Sequence, residues 1–280
     1  MEYKTITFKD GTKVVPMGMG TWYMGENPAL RHDEVRALRW GMDAGLTVID
    51  TAEMYGDGRA EQVVAEAIAG RRDEVYIIDK VLPWHAGRDG VRQACEGSLK
   101  RLKTDFIDLY LLHWRGPYPL AETVEAMEQL REEGKIGLWG VSNLDTDDME
   151  ELFSTSTNGC HCAANEVLYN LSRRGIEYDL LPWCKDKNMP VIAYSPIEQG
   201  RILHNSALHH IARKYNVAPA TVALAWLLTH TGVLPIPKAG TEEHARQNFA
   251  ALSLSLDDED LRLLNEAFPA PEGKTPLEMI

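Results

Sequence analysis

Positive charge is in short supply: 29 Lys and Arg stand against 42 Asp and Glu, a formal net charge of −13. So acidic a surface repels phosphate backbones and anionic lipid, and neither nucleic acid nor a membrane surface is an expected partner. Cysteine is scarce as well. The four residues Cys95, Cys160, Cys162 and Cys184 lack the spacing of a disulfide framework and read as reduced thiols of a cytoplasmic protein. Cys160-His161-Cys162 has no second cluster at ligand spacing, so no metal is expected. Nowhere do about 18 uncharged apolar residues run together. The opening MEYKTITFKDGTKVV carries charges where a signal peptide needs an apolar stretch, so neither export nor membrane insertion is expected. Finally, the glycines of PMGMGTWYMG are interrupted by Trp where a GxGxxG dinucleotide turn would enter a helix, which argues against that fold.

What is present is a rhythm. The run ITFKDGTKVV places two short β-type segments around Asp10-Gly11, a hairpin signal. After it, apolar runs alternate with amphipathic stretches: PMGMGTW, LTVID, EVYIIDK, FIDLYLLH, KIGLWGVSN, CAANEVL, PVIAYSP and VLPIPK are each followed by a helical pattern. VYIID and FIDLYLL are nearly continuous apolar runs, as expected of strands covered on both faces. Eight such alternations predict an α/β fold, a single (β/α)₈ (TIM) barrel with an N-terminal β-hairpin. SLDDEDLRLLNEAF, opening on a Ser cap at Ser255 with an acidic first turn, predicts an extra C-terminal helix followed by a tail. No linker divides residues 1–280, so one domain is expected.

Such barrels assemble their sites at the C-terminal ends of the strands, and four residues there invite attention. Asp50 ends LTVID, Lys80 ends EVYIIDK, His113 ends FIDLYLLH, and Tyr55 lies in the loop after the second strand. Each alone has an ordinary reading: a turn cap, a solvated strand end, a hydrogen-bonded core histidine, an amphipathic loop tyrosine. Together at one rim they suit carbonyl reduction, which needs hydride on carbon and a proton on oxygen. A phenol can supply that proton if a nearby ammonium lowers its pKa. In this reading Lys80 acts on Tyr55, Asp50 holds Lys80 charged, and His113 donates to the carbonyl oxygen.

Further segments carry a resemblance: GTW at 20–22, IDTAEMYG around Asp50 and Tyr55, LLHW around His113, GKIGLWGVSN ending at Ser142-Asn143, AYSP at 193–196, and IPKA around Lys238. Over essentially its whole length the chain resembles the aldo-keto reductases. The resemblance implies a nicotinamide-dependent reductase with Asp50, Tyr55, Lys80 and His113 as catalytic tetrad and Tyr55 as general acid. It implies NADPH as cofactor, with NADH less favoured. Ser142, Asn143 and Glu166 would meet the carboxamide, and Tyr194 would stack on the nicotinamide ring. Thr21 and the segment Ser195, Pro196, Ile197 and Gln199 would flank the cofactor, the latter following the pyrophosphate. Lys238 and the helix start at Thr241 would meet the 2′-phosphate, supplying the local positive charge that the acidic surface lacks. His244, Gln247 and Asn248 would lie near the adenosine. Two positions depart from the family pattern: Glu166 stands where Gln is frequent, and His244 where many members have Arg.

Trp22, Trp84 and Trp114 near strand ends are expected to wall a small apolar substrate pocket. Within the family the chain looks most like compact bacterial members that reduce 2-oxoaldehydes such as methylglyoxal, through LLHWRGPYPLAETVEAM, NEVLYNLSRRGIEYDLLPWC and EGKTPLEMI. Aromatic aldehydes and keto esters are alternative substrates, and a monomer is expected. The rival reading is a non-catalytic NADPH-sensing subunit on the same barrel, which binds cofactor without turnover.

Overall fold

The computed structural model describes residues 4–280. The chain opens with a hairpin of β1 (Ile6–Thr7) and β2 (Lys13–Val14), paired antiparallel with Ile6 opposite Val14. Gly11 N–H donates to the Phe8 carbonyl, and φ +88° at Gly11 is the left-handed conformation that the turn requires.

Eight parallel strands follow: β3 (Met19–Gly20), β4 (Val48–Asp50), β5 (Tyr76–Val81), β6 (Ile107–Leu112), β7 (Ile136–Ser142), β8 (Asn165–Leu168), β9 (Val191–Tyr194) and β10 (Val233–Pro235). Each pairs with the next in order. The last strand meets the first: Gly18 N–H donates to Pro235 O at 2.9 Å and Gly20 N–H to Pro237 O at 3.2 Å. A parallel bridge joins Gly20 to Lys238, closing the wall as the alternating pattern predicts. A Cβ on Gly20 would lie 2.6 Å from the Ile236 carbonyl oxygen, so this close approach needs glycine.

The helices α1 (Arg31–Asp43), α2 (Arg59–Ala67), α3 (Arg88–Leu102), α4 (Leu120–Glu132), α5 (Thr146–Thr155), α6 (Leu180–Asp186), α7 (Ser206–Tyr215), α8 (Pro219–Leu228) and α9 (Glu242–Phe249) connect the strands or follow the last of them. α8 illustrates how sequence selects position. Proline opens it, where no N–H is needed, and its apolar residues run all round, so it is buried against β10, α7 and α9. The extra helix α10 (Asp258–Ala267) begins two residues later than expected. Its cap is Asp257, not Ser255, because the Asp257 and Asp260 side chains each accept from the other's backbone N–H.

Two apolar cores result, because successive strand residues point to opposite faces. One lies between strands and helices. The other fills the barrel with Val48, Ile78, Leu109, Leu111, Ala164, Ile192 and Ile236, and the hairpin residues Ile6, Phe8 and Val14 plug its N-terminal end. Phe8 stacks on Tyr76 there, ring centroids 4.8 Å apart. Two residues beyond the filling layer, on the same inward face, stand Asp50, Lys80, His113, Glu166, Tyr194 and Lys238. The strand period that builds the core therefore also sets a polar layer at the barrel's C-terminal mouth.

Candidate active site

Lys80 is the hub of that layer. It is fully buried, and its Nζ lies 2.5 Å from Asp50 Oδ1, 3.0 Å from the Thr51 carbonyl, 3.2 Å from Tyr55 Oη and 3.3 Å from Glu166 Oε1. Burial opposes a charge on Lys80, but Asp50 and Glu166 outweigh it and keep the ammonium protonated well above the usual lysine range. Asp50 ends β4 and Lys80 lies near the end of β5, so neighbouring strands present the pair without a loop intervening.

Tyr55 sits in the turn between β4 and α2, where Tyr55 N–H donates to Ala52 O and its ring meets His113 edge-on at 5.7 Å. Here one expectation is corrected. Burial raises the Tyr55 pKa, and the opposing pull of Lys80 does not outweigh it, so the phenol is held protonated instead of being acidified. Burial and then Lys80 push His113 well below the ordinary histidine range, leaving a neutral imidazole. His113 Nδ1 is buried without a hydrogen-bond partner among the described residues. A neutral ring whose other nitrogen carries the proton can still donate one hydrogen bond into the site.

Two clefts meet at Tyr55. The larger, about 430 Å³, runs from Trp22, Asp50 and Tyr55 past Tyr194 and the segment Ser195, Pro196, Ile197, Gln199 to Lys238. The second, about 310 Å³, is lined by Trp22, Tyr55, His113, Trp114, Ser142, Asn143, Glu166 and Tyr194. Asn143 has φ +58°, tolerable for asparagine, which turns its side chain inward: Tyr194 Oη donates to Asn143 Oδ1 at 2.9 Å, and Asn143 Nδ2 donates to the His113 carbonyl. Ser142 Oγ donates to the Glu166 carbonyl. The segment after β9 is wound through positive φ at Ser195, Glu198, Gln199 and Gly200. Buried Glu198 anchors it, accepting from Asn170, Arg173 and Arg201.

Several expected positions fall outside these clefts. Thr21 is buried in the wall, its hydroxyl donating to the Asp50 carbonyl. Thr241 caps α9 by accepting from His244 N–H. Together with His244, Gln247 and Asn248 it lines neither cleft. Trp84 is 57% exposed, meets the Trp114 ring edge-on with centroids 5.5 Å apart, and lines neither cleft.

The tail, by contrast, reaches further in than its sequence suggests. Met279 and Ile280 line the second cleft together with Tyr194. Arg173 holds Glu278 at 2.5 Å, and Lys274 lies 3.1 Å from Asp147 and 3.2 Å from Asp179. The only signal in TPLEMI is its apolar ending, which is too short for periodicity to read.

An ammonium joined to a carboxylate and a buried phenol thus stand together at the mouth of a closed parallel barrel. The profile of the Aldo/keto reductase family matches residues 16–268. The chain belongs to the aldo/keto reductase family. As a member it is an oxidoreductase acting on carbonyl groups. It is 52% identical, across all of both chains, to "Methylglyoxal reductase YeaE" of Escherichia coli strain K12. An aldo-keto reductase from Klebsiella pneumoniae, solved in complex with NADPH, superposes with a TM-score of 0.97 at 54% identity over the full length of both chains. The same scores hold for a Klebsiella pneumoniae structure with NADP and acetate. No helix among the described residues is long and apolar enough to cross a membrane, and no cluster of three potential metal ligands occurs among them.

Proposed function

We propose that this aldo/keto reductase uses NADPH to reduce small 2-oxoaldehydes such as methylglyoxal, with Tyr55 as the general acid and Lys80, Asp50 and His113 as its partners. The observation that carries the reading is the contact of Lys80 Nζ with both Tyr55 Oη (3.2 Å) and Asp50 (2.5 Å), where the two clefts meet.

The residues present fit the cofactor. The long cleft is lined by Tyr194, by Lys238 and by the segment after β9, whose positive φ at Ser195, Glu198, Gln199 and Gly200 makes a backbone path suited to approach by phosphates. Ser142, Asn143 and Glu166 would hold the carboxamide, and Lys238 the 2′-phosphate. NADPH, when bound, supplies the hydride. The chain's own part is the proton: Tyr55 Oη–H is given to the substrate oxygen as negative charge develops there. Because burial keeps the phenol protonated, the acid is loaded before substrate arrives. Lys80 stabilises the phenolate only as it forms, which is differential stabilisation of the transition state. His113 donates to the same oxygen and fixes its position.

The second cleft suits a small substrate, being about 310 Å³ and walled by Trp22, Trp114, Met279 and Ile280. The name of the Escherichia coli relative supports methylglyoxal, and aromatic aldehydes and keto esters are further members of the proposed range. Residues 1–280 are taken as one barrel domain, acting as a monomer in the cytoplasm. NADH serves less well in this reading, because only NADPH offers Lys238 a phosphate. The non-catalytic alternative gains no support from a site that holds all four groups together.

The test follows the absorbance of reduced cofactor with methylglyoxal, an aromatic aldehyde and a 2-keto ester. Turnover is expected, and in Tyr55→Phe it should fall by about 10²–10⁴ while cofactor binding persists. Cofactor binding without turnover on any carbonyl would instead establish the sensing role.

A further inference from the structure

Glu166, besides the carboxamide contact proposed for it, stands against the same ammonium that serves Tyr55. It is buried, projects inward from β8, and stands 3.3 Å from Lys80 Nζ. Its Oε2 is buried and receives no hydrogen bond from any described N–H or O–H group. Asp50 and Glu166 nevertheless both stand against the one ammonium, at 2.5 Å and 3.3 Å from Lys80 Nζ. A carboxylate is an acceptor only, so a second carboxyl buried beside an ammonium already paired, with one oxygen unsatisfied, is held at least cost as the protonated acid.

Charge balance points the same way. The groups facing Glu166 are Lys80, Asp50, Tyr55, Tyr194 and His113. Of these only Lys80 is a cation, because His113 is held neutral and both tyrosines are held protonated by burial. One ammonium balances one carboxylate, and a second buried carboxylate there would stand uncompensated.

We infer that Asp50 and Glu166 share a single proton beside Lys80, and that Glu166 is thereby a positioning residue whose protonation sets how strongly Lys80 acts on Tyr55. This rests on the proposed role of Tyr55 as proton donor. With the shared proton in place, Lys80 answers one carboxylate and its remaining positive field falls on the phenol. When the proton leaves, Lys80 is paired twice, its field at Tyr55 is cancelled, and the phenolate that must form during reduction is less stable. Burial, and then the neighbouring Asp50, raise the Glu166 pKa far above the ordinary carboxyl range, so the pair keeps its proton to a higher pH than an ordinary carboxyl does. Carbonyl reduction should accordingly decline as pH rises through the titration of this pair.

Glu166→Gln is nearly isosteric and permanently neutral, so it separates charge from shape. Two measurements decide. In the infrared difference spectrum of the cofactor-free chain, parent minus Glu166→Gln, a protonated-carboxyl C=O band is expected at neutral pH and should vanish on alkaline titration. In kcat/KM for aldehyde reduction, the alkaline limb should move up by about one pH unit or more in the variant, the scale of a neighbouring charge on a pKa. No such band, or a limb that coincides with the parent's, overturns the inference. A parent chain that reduces no carbonyl would defeat the reductase reading instead, and the infrared titration would still decide the shared proton.

Discussion

Replacing Lys80 with methionine removes the cation that Asp50, Tyr55 and Glu166 face and keeps most of the volume. Nζ is within 3.3 Å of Asp50, Thr51 O, Tyr55 Oη and Glu166, and all these partners are buried. Removing one member of a buried pair costs about 3–5 kcal/mol, because the abandoned charge has no water to return to. At ~2–4 °C per kcal/mol in a chain of this size, the melting temperature should fall by roughly 6–20 °C. The loss must also depend on pH with a definite sign. Without Lys80, the carboxyls of Asp50 and Glu166 have folded-state pKa values still further above those of the unfolded chain. The folded state then binds the extra protons, so stability is full below the unfolded carboxyl range, about pH 4, and is lost as pH rises through the raised values. Thermal unfolding by circular dichroism at about pH 5 and about pH 8 should show a deficit relative to the parent that widens with pH. A deficit that narrows as pH rises, or no deficit at either pH, would refute the assignment of Lys80 as the balancing charge.

Lys238→Ala should weaken NADPH more than NADH, since only NADPH carries a 2′-phosphate; equal weakening in fluorescence titrations would remove Lys238 from that role. In Gly20→Ala the new methyl would lie 2.6 Å from the Ile236 carbonyl. The backbone there cannot give way cheaply, so a stability loss of about 1–3 kcal/mol is expected in urea unfolding, and an unchanged midpoint would contradict the close approach. Arg173 holds both Glu278 of the tail and Glu198 under the segment after β9. Arg173→Ala should therefore raise KM for aldehyde and for cofactor together, each by up to roughly fivefold for a lost, partly exposed ion pair of about 1 kcal/mol. A change in one alone would show that the two segments are anchored independently.

The barrel was legible because its strands repeat one device: apolar run, inward polar residue, helix. LTVID and EVYIIDK end where β4 and the inward Lys80 were expected, and all eight strands lie where the alternation puts them. The shared rim of Asp50, Lys80 and His113 was legible for the same reason, since a strand end is a local feature and its rim position follows from topology, and Tyr55 follows the second strand closely enough to join them. What depends on distant packing was not legible. The acidity of Tyr55 was misread because proximity of an ammonium can be guessed from sequence, whereas the depth of burial that overrides it cannot. Glu166 lies two residues beyond Ala164 on the face filling the barrel, yet nothing in ANEVLYN reveals that it shares Lys80 with Asp50. Trp84 and the residues of α9 look alike in sequence whether they face a cleft or its outer slope. The tail's approach to Tyr194 rests on ion pairs between segments about 100 residues apart, such as Arg173 with Glu278.

The seam where the wall closes has a consequence for loading. Pro235 and Pro237 offer carbonyls to Gly18 and Gly20 but own no N–H to return, so this join is a half-strength ladder beside the full pairing of β5 with β6. The long cleft lies directly over it, with Gly20 on one bank and Ile236 and Lys238 on the other. Whatever fills that cleft clasps the first and last staves together, and the amides of Gly18 and Gly20 should trade their hydrogens with solvent more slowly once it does.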